Sequence, residues 1–164
     1  MLDLEIAEIT ENRNRICSDL LRSLPRWFGL ESAILKYSAD VESMPTFVAT
    51  IKGDSIGFIS LRLRNEWTAE VHVMAVHPRY HKKGIGKQLL EVAEKYLRKR
   101  NCEFLTVKTL SSAHPSKEYE GTRRFYFSMG FRPVEEFKTL WGETNPCLLM
   151  IKALSLDQRT ATYR

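Results

Sequence analysis

The stretch Val73-Met74-Ala75-Val76-His77-Pro78-Arg79-Tyr80-His81-Lys82-Lys83-Gly84-Ile85-Gly86-Lys87 constrains this chain more than any other. A Val-rich run suited to a strand enters a short basic loop. The loop enters a helical pattern whose first turn contains Gly84 and Gly86. The first N–H groups of a helix have no partner inside it, and the helix dipole adds positive charge at the same end, so such a turn accepts an anion. Two glycines let that anion approach the backbone without a Cβ in the way. Arg79, Lys82, Lys83 and Lys87 surround the same point. A glycine pair alone is weak, since a basic loop capping a surface helix has the same composition. The pattern is not a Walker loop, because no Gly-Lys-Ser/Thr follows four variable residues. Nor is it a dinucleotide fingerprint, because the third glycine is absent and residue 89 is Leu.

The remaining periodicity predicts one α/β domain over residues 1–164 with a mixed sheet. Residues 2–10 alternate as a first strand, and residues 11–24 carry Ile16, Leu20, Leu21 and Leu24 on one helical stripe ended by Pro25. Trp27 and Phe28 follow in a turn closed by Gly29, and residues 31–40 predict a second helix. Three strands come next, at residues 46–52, 55–64 and 69–76. A turn at Gly53-Asp54 and a polar tip at Asn65-Glu66 suggest an antiparallel meander. Residues 84–100 are helical, with basic residues in the last turn. Residues 103–110 predict a strand and 118–129 a helix stopped by Gly130, which suits a C′ position. A short strand opens at Phe131, and residues 147–153 form the last, after Pro146.

Charge and cysteine content narrow the class. The formal net charge is +5, from 25 Lys+Arg against 20 Asp+Glu, which is a mixed surface and not a basic arm. A nucleic-acid partner is therefore not expected, although a binder using the Arg79 to Lys87 patch is a third reading to be tested by salt dependence. Cys17, Cys102 and Cys147 have no metal-knuckle or disulfide spacing, so no metal is expected. No leader-like segment and no run of membrane-span length are found, so the expected location is cytoplasmic, with no membrane partner.

Here the sequence resembles a known family. The strand VHVMAVHP, the loop RYHKK and the turn GIG look like the acyl-CoA-binding motif of the GNAT superfamily of N-acetyltransferases. That motif usually reads Arg or Gln, two variable residues, Gly, one variable residue, then Gly or Ala. Here it is His81-Lys82-Lys83-Gly84-Ile85-Gly86, with His81 departing from the usual first residue. A second match, TRRFYFSMGF at residues 122–131, resembles the family's later motif, an aromatic pair followed by Gly-Phe. The two occur in the family's order, separated by a predicted helix-strand-helix.

The resemblance implies a GNAT-like fold: a mostly antiparallel sheet with a splayed central strand pair, flanked by helices. It implies acetyl-CoA as co-substrate, an acyltransferase activity on an amine of a small molecule or protein, and a possible homodimer. The strand at 69–76 should splay from 103–110 at a β-bulge. The pantetheine arm should pair with Met74, Ala75 and Val76. The pyrophosphate should lie on His81, Lys82, Lys83, Gly84, Ile85, Gly86 and Lys87. Many members carry an Asn seven residues before the later Tyr, where this chain has Tyr119.

Transfer of an acetyl group from a thioester to an amine needs a neutral nucleophile, donors for an oxyanion and a proton for the leaving thiolate. A lysine-like amine has a pKa of about 10.4 and is mostly protonated at neutral pH. Glu70 is the candidate general base, directly or through a water. Strand alternation predicts Glu70, His72 and Met74 on one face, which makes His72 a second base candidate. By resemblance the Met74 N–H is the oxyanion donor, and Tyr126, in the Tyr position of the Phe-Tyr pair, is the acid and a cofactor contact. A solvated strand position for Glu70 or His72 and a core aromatic role for Tyr126 are the plain alternatives. The acceptor is not legible: Trp27, Phe28, Trp67 and Trp141 are available to line its cleft. An acyl-CoA-sensing module of the same fold is the alternative function.

Overall fold

Hydrophobic alternation in the strands and 3.6-residue stripes in the helices organise one sheet with helices on both faces. The computed structural model describes residues 3–155. Leu2, where the predicted first strand begins, and the tail beyond residue 155 lie outside the described residues. The order is β1 (Leu4–Ile9), α1 (Arg13–Arg22), α2 (Glu31–Asp40), β2 (Thr46–Ile51), β3 (Asp54–Leu63), β4 (Thr68–Val76), α3 (Ile85–Lys99), β5 (Phe104–Leu110), α4 (Lys117–Ser128), β6 (Arg132–Phe137) and β7 (Cys147–Ala153), as the pattern predicts. Short 3-10 turns at Val41–Ser43 and Pro78–Tyr80 join α2 to β2 and β4 to α3.

The strands lie in the order β1-β2-β3-β4-β5-β7-β6. All neighbours are antiparallel except β4 and β5, so the sheet is mixed as expected. The β2–β3 turn is Lys52-Gly53, one residue earlier than predicted. Both residues have positive φ (51° and 85°), and Ile51 pairs with Asp54. A two-residue turn with two left-handed residues matches the twist of a hairpin.

One face of the sheet packs on α3 through Ile85, Leu89, Leu90, Ala93 and Leu97. The other packs on α1 and α2 through Cys17, Leu20, Leu21 and Ile34 against Val48, Phe58, Val73 and Ala75. The end of α4 follows its sequence cue. Gly130 (φ 98°) donates to the Phe127 carbonyl, Phe131 donates to that of Tyr126, and Phe131 is fully buried. This pair of bonds is a Schellman motif, with its apolar residue just past the glycine. No helix among the described residues is long and apolar enough to cross a membrane.

Candidate active site

The site is built where β4 leaves its parallel neighbour. Thr68 to Val71 pair with Phe104 to Val107, and the pairing stops there, while β5 continues against β7 as far as Leu110. Opposite β3, the register jumps between Ser60 and Leu61: Ser60 faces Val73, Leu61 faces Val71, and His72 is the extra residue. This is a β-bulge, which bends a strand and re-aims its side chains. Ala69 and Val71 lie on the α3 side, whereas Val73 and Ala75 lie on the α1–α2 side.

The bulge corrects the expectation that Glu70, His72 and Met74 share a face. Glu70 and His72 look towards α2, with the His72 ring 5.4 Å from that of Tyr37. Met74 packs with the α3 cluster, near Gly86 and Phe125. Period two fails because the extra residue inverts the phase, so the strand presents polar groups to one side and Met74 to the other.

The backbone phase on β4 follows from one bond. The His77 N–H donates to the Ile56 carbonyl (2.8 Å). Backbone groups alternate in direction along an antiparallel strand. Those of Ala75 and Val73 therefore turn to β3, and those of Met74 and Val76 turn to the side from which β5 has withdrawn. His81 Nε2 donates to the Val76 carbonyl at 2.6 Å, which fixes its tautomer, because a carbonyl can only accept.

The loop after β4 turns sharply into α3. Lys82 (φ 59°) and Gly84 (φ 79°) both adopt left-handed backbone, and Gly84 caps α3 with no side-chain cap. The Gln88 N–H to Gly84 carbonyl bond (3.1 Å) is the first of the helix, so the preceding N–H groups have no helical acceptor. Arg79, Lys82, Lys83 and Lys87 are exposed around them. A Cβ on Gly86 would lie 3.4 Å from Met74 Cε and from the Phe125 ring, so glycine lets α3 close on β4 here.

The connection between α1 and α2 straps this region. Trp27 Nε1 donates to Thr122 Oγ1 (3.2 Å), the Tyr119 hydroxyl donates to the Trp27 carbonyl (2.8 Å), and the Trp27 ring meets His81 edge-on at 5.7 Å. Tyr119, which stands at the family's Asn position, is thus committed to the strap. Burial pushes its phenol up to about 12. Tyr126 is buried with its ring 5.3 Å from Phe125 and from Phe131. Burial raises its phenol well above the ordinary range, so it stays protonated.

On the other side of the sheet a chain of charges surrounds the bulge. Glu70 is 6% exposed. Its carboxylate accepts from Lys108 Nζ (2.6 Å) and Arg64 (3.0 Å to each oxygen), and His72 Nδ1 lies 4.0 Å away. Burial alone would raise this carboxyl, but the neighbouring His72 and the bonds from Lys108 and Arg64 outweigh it and hold it at about 2. A carboxylate this well paired is a weak proton acceptor. His72 Nε2 bonds Asp40 Oδ2 at 3.0 Å, and Lys36 approaches the same oxygen at 3.4 Å. The Asp40 carboxyl is also lowered: its burial is outweighed by His72 and Lys36. Asp40, Arg64 and Lys108 were not singled out in the sequence, because each joins the cluster through tertiary structure.

Comparison with known proteins gives a consistent picture. A family model described as the Acetyltransferase (GNAT) family matches residues 13–131. An uncharacterized N-acetyltransferase of Chlorobaculum tepidum is 29% identical over 104 residues, a match spanning 62% of this chain and 60% of that relative's length. The ribosomal-protein-S18-alanine N-acetyltransferase of Escherichia coli superposes with a TM-score of 0.76 at 18% identity, over 98% of this chain and 99% of the other. An aminoglycoside 6'-N-acetyltransferase complexed with coenzyme A gives 0.75 at 19% identity, over 94% and 99%.

Proposed function

Because the chain belongs to the GNAT acetyltransferase family, and is an acyltransferase by that membership, we propose that it transfers an acetyl group directly from acetyl-CoA to a primary amine. The observation that carries the reading is the release of β4 from β5 after Val71, with free backbone groups on one side and an anion cradle at its end. The residues present suit the co-substrate. The backbone of Met74 and the N–H of Val76 offer a strand edge to the pantetheine arm, with Ala75 between them turned to β3 and the Val76 carbonyl held by His81. The turn from His81 to Lys87 (His81, Lys82, Lys83, Gly84, Ile85, Gly86, Lys87) offers N–H groups and cations to the pyrophosphate. Acetyl-CoA supplies the acyl group as a thioester.

The protein's own groups then divide the work. The Met74 N–H, aimed into the opening, donates to developing negative charge. Tyr126, held protonated by burial, is the donor for the departing thiolate. His72 is the base. Its Nε2 is bonded to Asp40 and its Nδ1 lies 4.0 Å from Glu70, so a proton gained by the ring is held between two carboxylates. Glu70, expected as the base itself, fits better as the group that holds His72 and Lys108 in place, since its own carboxyl is fixed near 2. Three buried free cysteines suit a reducing, cytoplasmic compartment.

The test is thiol release from acetyl-CoA against a panel of primary amines, with product mass confirmed. Amine-dependent release that falls at least about 100-fold in His72→Gln supports the reading, since positioned acid–base groups contribute about 10²–10⁴. Acetyl-CoA raising the melting temperature with no release from any amine would replace it by the sensing module.

A further inference from the structure

Arg62 is the cation of the bulge cluster that makes no side-chain hydrogen bond among the described residues. It lies on β3 with Glu70 as its cross-strand neighbour, yet Glu70 spends its oxygens on Arg64 and Lys108. The nearest carboxylate oxygen to Arg62 is that of Asp40, at 3.9 Å, already bonded to His72 and approached by Lys36. No hydrogen bond to the Arg62 guanidinium exists among the described residues. Its side chain is only 34% exposed, so five N–H donors are partly withdrawn from water without an acceptor. Counted over this face, four cations (Lys36, Arg62, Arg64, Lys108) stand against two carboxylates (Asp40, Glu70).

Arg62 also lines a cavity of about 470 Å³ between the end of α2 and β3. Asp40 lines the same cavity and makes the bond to His72, so the cavity wall is one contact from the proposed base. The rest of the lining is mixed, with Ala39, Ser43, Pro45 and Leu63 beside the buried Met44 and Leu61.

Resting on the proposed transfer reaction, we infer that the acceptor is a small amine that also carries a carboxylate, with Arg62 taking the carboxylate. A guanidinium binds a carboxylate through two parallel N–H bonds, which gives direction as well as affinity. A polycationic acceptor would meet a face with surplus positive charge and no free carboxylate. The same chemistry is offered by a free amino acid and by the C-terminal carboxylate of a dipeptide, and Arg62 serves either.

The experiment uses the full chain with acetyl-CoA and five probes: leucine, leucine methyl ester, leucylglycine, spermidine and kanamycin. Leucine or leucylglycine should exceed the ester and both polycations by about tenfold or more in kcat/KM, the value of one charge-assisted contact. The longer reach of leucylglycine separates the two sources. In Arg62→Gln the preference for the acid over its ester should collapse towards one through KM, and Arg62→Lys should restore part of it. Equal rates on acid and ester, or a preference for spermidine or kanamycin, would overturn the inference while leaving acetyl transfer standing. Binding is read separately by thermal shift with leucine and leucylglycine alone. If no probe is acetylated, the transfer reading falls. The Arg62 site then stands only if one of these carboxylates stabilises the wild type and not Arg62→Gln, and is overturned if neither does.

Discussion

Glu70 offers the most direct physical test of the cluster, through acid stability. Its carboxyl is held at about 2 against an ordinary 4.5, a difference of about 2.5 units. At about 1.36 kcal/mol per unit this is roughly 3 kcal/mol of folded-state stabilisation. The folded value is the lower one, so the stabilisation is complete above pH 4.5 and is lost as pH falls towards 2. Linkage places about 2 kcal/mol of the loss above pH 3. Arg64 is 39% exposed, so screening trims its share, and 1–2 kcal/mol is the fair expectation. The measurement is urea unfolding of wild type and Glu70→Gln between pH 7 and pH 3. With a urea slope of about 2 kcal/mol/M, the gap in midpoint should narrow by about 0.5–1 M as pH drops, because protonated Glu70 comes to resemble glutamine. Two curves that stay parallel across this range would refute the assignment of a depressed carboxyl. The same variant at neutral pH strands Lys108 and Arg64, so it should be the less stable protein throughout.

Tyr126→Phe should lower kcat by about 100-fold while acetyl-CoA still raises the melting temperature, because the phenol makes no hydrogen bond among the described residues and its removal costs under about 1 kcal/mol; stopped thiol release with retained thermal shift is the expected pair. Gly84→Ala meets no atom within 4 Å but must hold φ near 79°, so it should cost about 1–2 kcal/mol in urea unfolding through backbone strain alone.

The order of elements was legible because each helix or strand carries its own period and its own stop. Pro25 ends the first helix near its predicted place, and Gly130 ends α4 with the bonds that a C′ glycine requires. The turn at Gly84 and Gly86 was legible for the same reason, since its geometry lies in consecutive backbone groups. The active face was not. His72 is a bulge residue, and nothing in TAEVHVMAV announces that its phase inverts between Val71 and Val73. Asp40 lies 32 residues from His72 and Lys108 lies 38 from Glu70, so local patterns cannot find them, and Arg64, six residues from Glu70, reaches it only through the hairpin. Arg62 did leave a trace: after the apolar run Ile56 to Ile59 the strand carries Ser60 and Arg62 in alternation, and a charged residue spaced that way marks a face that is not simply core. The interposition of β7 between β5 and β6 is likewise a matter of pairing and not of periodicity.

The strap at Trp27 connects these parts. Its side chain bonds α4 at Thr122 and leans on His81, and His81 in turn holds the Val76 carbonyl at the end of the released strand edge. Removing the indole leaves the backbone carbonyl to Tyr119, so α1, α2 and α4 stay tied, but the His81 ring loses the surface that fixes it. The loop from His81 to Gly84 contains the left-handed Lys82 and would then have to be ordered by the ligand. Ordering one or two side chains on binding costs about 0.5–1.5 kcal/mol each. Trp27→Ala should therefore weaken acetyl-CoA binding by about tenfold, read by calorimetry. Trp27→Phe keeps an aromatic edge and loses only the bond to Thr122, so it should lower stability by about 1 kcal/mol with a smaller effect on affinity. Hydrogen exchange supplies the independent readout: in Trp27→Ala without ligand, amides of residues 77–84 should exchange faster than in wild type, and those of β2 should not. An alanine variant with unchanged affinity and unchanged exchange in that loop would show that the cradle orders itself, and that Trp27 is packing alone.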